Sequence, residues 1–182
     1  METKGTKKTQ NKIKKLLSAV FLCAVMSVVP VGCGRNASDT ASGEAHTCTI
    51  SIKCDAILDD IQNFDEAKRD FVPEDGVVLP VTTVDFESGD TIYDITRKAC
   101  RDNNILMESR NTTGMIYIEG IAQMYEFDGG ELSGWMYKVN GVFPEYGCGS
   151  VEVSDGDEIE WLYTMNLGVD LGNEYTEDDH EG

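Results

Sequence analysis

Gly134-Trp135-Met136-Tyr137-Lys138-Val139-Asn140-Gly141-Val142-Phe143-Pro144 reads as a strand, a tight turn and the start of a returning strand. Asn and Gly tolerate positive φ, so Asn140-Gly141 between apolar alternations marks a hairpin. Trp135, Tyr137 and Val139 share one face of the strand, Met136 and Lys138 the other. A second aromatic strand follows at Ile159-Glu160-Trp161-Leu162-Tyr163, so both tryptophans belong to one C-terminal sheet region.

Upstream, Thr47-Cys48-Thr49-Ile50-Ser51-Ile52-Lys53-Cys54 alternates cleanly and predicts the first strand, with Cys48, Ile50, Ile52 and Cys54 inward. Asp55 to Phe71 is acidic and loosely periodic, consistent with a short helix or an irregular excursion. Val77 to Phe86 is a second strand, and Pro80 marks it as an edge or a bulge. At Ser88-Gly89-Asp90-Thr91 the period changes. Ile92, Ile95 and Ala99 form an apolar stripe on a helix running to about Asn103, with Asp90 as N-cap. Met115-Ile116-Tyr117-Ile118-Glu119 is a third strand, and Ser154-Asp155-Gly156-Asp157 a turn before the last one.

The 182 residues suffice for one domain. Six lysines between Lys4 and Lys15 precede a nearly all-apolar run from Leu16 to Val31, too short for a membrane span of about 20 residues but suited to an export signal. Val31-Gly32-Cys33 resembles the lipobox of a bacterial lipoprotein, which makes Cys33 the lipidated residue. Pro30 departs from that motif, which usually has Leu there. Residues 33–46 then read as a lipidated cysteine and flexible tether, rich in Ser, Ala, Gly and Thr. The expected location is the extracytoplasmic face of a bacterial cell, anchored to the membrane by lipid.

Residues 1–32 carry six of the 15 Lys+Arg and one of the 33 Asp+Glu, so the remainder holds 9 against 32, a net −23. A surface so acidic argues against nucleic acid and favours neutral or cationic partners. From Asp170 onward there are six acids and no Lys or Arg, which predicts a solvated, disordered tail over 169–182.

Four cysteines remain beyond the signal and the anchor: Cys48, Cys54, Cys100 and Cys148. In an exported protein they permit two disulfides in any of three pairings, or they are small buried thiols. The spacing does not suit zinc. His46 lies in the tether and His180 in the tail, so neither is placed as a general base, and no GxSxG, HExxH or phosphate-cradling loop occurs. The expectation is a protein that is not an enzyme and carries no cofactor or metal of its own.

The element order is that of a β-grasp fold. Gly89-Asp90-Thr91-Ile92-Tyr93-Asp94-Ile95, Tyr117-Ile118-Glu119-Gly120-Ile121, Ser133 to Gly141 and Asp155 to Trp161 together resemble the transcobalamin-like C-terminal domain family, over roughly residues 47–168. The resemblance implies an α+β class: a β-grasp-like mixed sheet packed on one main helix. Many bacterial members are domains of unknown function on exported proteins and lipoproteins. In the vertebrate carriers this domain closes over a corrinoid held against a separate helical domain, for which this chain has no room. The resemblance thus implies a corrinoid such as cobalamin, or another bulky small molecule, as ligand. Relatives tend to carry Cys where this chain has Gly129 and Met165, so the bridge pairing stays open.

Trp135, Tyr137, Asn140, Phe143 and Tyr146 are the candidate ligand-binding residues, since bulky ligands favour aromatic-lined concavities. The competing reading places Trp135 and Trp161 in the core, because one face of a helix-packed sheet must be buried. A structural or adhesive domain that binds a surface protein, with Val77 to Phe86 as an open edge, is the alternative function.

Overall fold

Alternation along the first strand has the consequence expected of it. In the computed structural model, which describes residues 46–113 and 115–173, β1 (His46–Lys53) buries Cys48, Ile50 and Ile52, with Cys54 just beyond it. The signal, Cys33 and the tether up to Ala45 lie outside the described residues, as do residues 174–182. β1 pairs antiparallel with β2 (Val77–Phe86). Between them lie α1 (Asp55–Asp59) and two 3-10 turns, Ile61–Asn63 and Glu66–Phe71. A salt bridge fastens this excursion: Lys68 Nζ lies 2.7 Å from Asp128 and 4.4 Å above the Tyr125 ring.

The apolar stripe becomes α2 (Ile92–Asp102), which buries Ile92, Ile95, Thr96, Ala99 and Cys100. Its N-cap is Thr91, not Asp90. Thr91 Oγ1 accepts from Asp94 N, and the Asp94 carboxylate accepts from Thr91 N, a capping box. Asp90 instead accepts from Glu87 N in the preceding turn. Both residues suit the cap by type, and the deciding partner sits three residues after Thr91.

β6 (Gly134–Val139) and β7 (Glu158–Thr164) complete the main sheet, in the order β2-β1-β7-β6. β1 and β7 run parallel at its centre, while the outer pairs are antiparallel. A first hairpin, a crossing helix and a last strand returning parallel to the first define the β-grasp topology in an α+β domain. Pro80 lies on an edge strand, near a register irregularity opposite Ile50 and Ile52.

Four expectations are narrowed, extended or corrected. The chain after Asn140-Gly141 does not return as a strand. Val139 and Val142 exchange both backbone hydrogen bonds across the turn, on the edge of β6 that β7 does not occupy, and the chain leaves the sheet after that one pair. A second sheet, β3-β4-β5, comprises Met107–Thr112, Met115–Ile121 and Met124–Tyr125. Only its middle strand is legible from alternation. Third, of the two readings open for the cysteines the structure has the buried thiols and not the bridges: Cys48, Cys54, Cys100 and Cys148 are all free and buried. Cys48 and Cys54 lie six residues apart along extended chain, roughly 20 Å at about 3.3 Å per residue, well outside bridging reach. The Cys48 thiol points to Val84 O on β2 and the Cys148 thiol to Ile116 O on β4, so these two face different sheets. Fourth, the fold continues past Gly168. A 3-10 turn at Val169–Leu171 brings Asp170 back to accept from Thr164 Oγ1 and Met165 N.

Candidate ligand-binding loop

Alternation along β6 sends Trp135 and Tyr137 into the core, and their polar ends are satisfied there. Trp135 Nε1 donates to Met124 O at 2.8 Å, and its ring meets Tyr163 edge-on at 5.3 Å. The Tyr137 ring lies 5.2 Å from that of Trp161, its cross-strand partner. Neither side chain offers a face to a ligand; both are packing residues that hold the loop beyond them.

Asn140 is a clamp. With φ of 53° at Asn140 and 80° at Gly141, the backbone turns in the left-handed region that these two residue types accept. The Asn140 side chain donates to Asp157 Oδ1 at 2.8 Å and accepts from Glu158 N at 2.9 Å. Asp157 Oδ2 accepts from Ser154 N, and Asp155 accepts from Thr47 N. The acidic turn is thus spent on backbone hydrogen bonds. Among the described residues no group of three or more His, Cys, Asp or Glu is placed to hold a metal ion.

The segment Val142 to Gly149 differs from its neighbours. Val142 and Tyr146 are 68% and 69% exposed, and Phe143 is half-buried with Lys138 Nζ 4.7 Å over its ring. Yet the backbone beneath them is tied down. Tyr137 Oη donates to Tyr146 O at 2.6 Å, and Tyr93 N donates to Cys148 O at 3.0 Å. Gly149 lets Ile116 approach closely, since a Cβ there would meet Ile116 Cδ1 at 2.8 Å. The result is a pair of exposed aromatic and apolar side chains on an immobilised backbone. Rigid aromatic groups lose little entropy when they make contacts.

The outer face of the second sheet carries groups that alternation did not reveal. Arg110 Nη1 lies 2.8 Å from Glu119 and 2.7 Å from Glu126, and its guanidinium sits 4.8 Å over the Tyr117 ring. Burial, reinforced by a hydrogen bond with Glu126, pushes the Tyr117 hydroxyl up to about 12. A register irregularity between Glu108 and Ser109 brings Gly120 opposite Glu108 and Ile118 opposite Ser109, with Glu119 between. Only the reading of Met107–Thr112 as a strand could have placed Arg110 beside Tyr117.

These features define the class: a β-grasp α+β domain that presents an anchored aromatic loop. The family model described as "Domain of unknown function (DUF4430)" matches residues 89–165, from the turn before α2 to Met165 just past β7. No curated protein matches the chain. Among solved structures, haptocorrin in complex with Cbi is similar at 17% identity and a TM-score of 0.45, over 67% of this chain. This chain spans 25% of that one. A protein described as a "putative metal binding protein" from Ruminococcus gnavus ATCC 29149 is similar at 13% identity and a TM-score of 0.39, over 65% of this chain and 96% of its own.

Gly129 and Met165, where the resemblance leads one to expect cysteines, do lie against each other. A Cβ at position 129 would overlap Met165 Sδ. The methionine occupies the space that a side chain at 129 would need, so the glycine and the methionine fit as a pair.

Proposed function

We propose that this chain is a non-catalytic lipoprotein, tethered through Cys33 outside a bacterial cell, whose domain binds a bulky, neutral or cationic small molecule on the Val142 to Cys148 loop. The observation that carries the binding reading is the pairing of exposed Val142 and Tyr146 with a backbone hydrogen-bonded into the core. A loop exposing apolar groups gains nothing in stability from them, whereas a preorganised aromatic surface reduces the entropic cost of binding. The motif resemblance supports a corrinoid as the first ligand to try.

Both parts are open to test. An alkynyl palmitate should label the full chain in cells and fail to label Cys33→Ala; a chain that never takes up the label contradicts lipid anchoring. Cobinamide should quench the tryptophan emission of the detergent-solubilised full chain saturably. Phe143→Ala/Tyr146→Ala should weaken that binding by about 10-fold or more, an anchor-residue effect of at least ~1.4 kcal/mol. No saturation at high micromolar cobinamide removes the corrinoid; equal affinity in the double variant removes the loop.

A further inference from the structure

A second exposed apolar surface lies at the opposite end of the main sheet. Because β1 and β7 are parallel, the end where β7 finishes at Thr164 is the end remote from His46, where the chain enters the domain. The Asn140-Gly141 turn sits at the His46 end, since Asn140 N donates to Glu158 O and Glu158 lies opposite Thr49. At the far end two loops meet, residues 126–133 and 165–173, joined by Leu167 N donating to Leu132 O at 2.8 Å. They expose four large apolar side chains: Phe127 at 62%, Leu132 at 46%, Leu167 at 54% and Val169 at 57%.

Two of the four are held in the left-handed region, Phe127 at φ 71° and Leu167 at φ 49°. Bulky residues seldom adopt that conformation, and it costs stability that exposed side chains do not return through packing. Acids outnumber bases around them. The two loops contain Glu126, Asp128, Glu131 and Asp170 and no Lys or Arg. Lys68 neutralises Asp128, Arg110 is shared between Glu126 and Glu119, and Lys138 Nζ donates to Leu171 O, so five carboxylates face three cations and an acidic excess remains with Glu131 and Asp170.

We propose that this end of the domain docks a cationic amphipathic segment of another protein, whose apolar face covers Phe127, Leu132, Leu167 and Val169 while its Lys and Arg meet the acidic surround. Apolar contact supplies the affinity, and opposite charge supplies orientation and on-rate. Anionic membrane surfaces and nucleic acid are disfavoured by the same charge. Lys138 stands between this surface and the Val142 to Cys148 loop, its Nζ 3.3 Å from Leu171 O and 4.7 Å over the Phe143 ring, so the two surfaces are told apart by variants at Phe127, Leu132 and Leu167 on one side and at Phe143 and Tyr146 on the other.

The test uses the full chain and a fluorescent 18-residue helical peptide of Leu and Lys, with Glu replacing Lys in the control. Anisotropy should show saturable binding of the Lys peptide, weakened by salt toward ~1 M, where the Debye length is about 3 Å. Phe127→Asn/Leu167→Asn should lower the affinity at least about 10-fold, as loss of central apolar anchors does. Asn tolerates left-handed φ, so the thermal midpoint should hold or rise. Leu132→Gln, at a position of ordinary φ, should weaken binding in the same direction and serves if the double variant misfolds. Phe143→Ala/Tyr146→Ala should leave peptide affinity unchanged. Equal binding of the Glu peptide, no binding of the Lys peptide, or full affinity in both far-end variants overturns the proposal. A homodimer, or adsorption to phosphatidylcholine vesicles, that Phe127→Asn/Leu167→Asn abolishes would also overturn it, assigning the surface to a second copy or to lipid.

Discussion

Trp161→Ala is expected to lower the unfolding free energy by about 3–5 kcal/mol, the range for removing a buried large aromatic side chain. Trp161 sits on a central strand of the main sheet, 2% exposed, between Ile52 of β1 and Tyr137 of β6. Its indole also joins the sheet to the helix: Nε1 donates to Thr96 Oγ1 at 2.7 Å, and Thr96 Oγ1 donates to Ile92 O at 2.6 Å. The loss would consume a large part of the 5–15 kcal/mol typical of a domain, so the variant should be partly unfolded at 37 °C. Thr96→Val keeps shape but leaves the indole N–H without its acceptor, at a cost of about 1–3 kcal/mol. Because the two residues share one hydrogen bond, the double variant should fall short of the sum. Urea denaturation reads all three; a Trp161→Ala loss below about 1 kcal/mol would mean that the helix is not seated on this residue.

Alkaline pH should destabilise the domain through its buried thiols and hydroxyls. Burial pushes the Cys54 and Cys100 thiols up to about 12, and Cys48 and Cys148 up to about 11, from an ordinary value of 9.0. Burial likewise pushes the Tyr137 and Tyr163 hydroxyls up to about 12 from 10.0. These acids hold their protons more tightly when folded than when unfolded. Between pH 9 and 12 the unfolded chain therefore binds fewer protons, and stability falls as pH rises. Their contribution is complete below pH 9 and lost as pH climbs through the folded values. The thermal midpoint should hold near pH 8 and drop steeply above 9, while a thiol reagent at pH 8 modifies none of the four cysteines until the domain unfolds. A flat midpoint from pH 8 to 11 would show that these groups are not buried as described.

The fold was legible where burial leaves a periodic trace. Cys48, Ile50 and Ile52 on β1, Ile92, Ile95 and Ala99 on α2, and Trp135 with Trp161 on β6 and β7 all fall on the faces that alternation assigns. β3 was not legible because Met107–Thr112 is an exposed edge whose side chains are mostly polar; it forms by pairing with β4 rather than by burying a face. The turn at Asn140-Gly141 was read correctly as a tight reversal that pairs Val139 with Val142, but local φ preference cannot say how far the returning chain stays paired, and it stops after that one pair. Of the five candidate ligand residues, Tyr146 and Phe143 keep ring surface available, Trp135 and Tyr137 are buried in holding the loop, and Asn140 is exposed with its amide committed to Asp157 and Glu158. Aromatic composition marks such a region, but only the pairing of strands separates its supports from its surface.

An isotope-labelled full chain titrated with cobinamide, followed by amide chemical shifts, addresses the recognition surface directly. The account predicts the largest perturbations from Val142 to Cys148, with Phe143 and Tyr146 foremost and the amides of Phe127 and Leu167 unmoved. Saturable binding whose perturbations spare that loop and centre instead on Arg110, Tyr117 and Glu119 would contradict it.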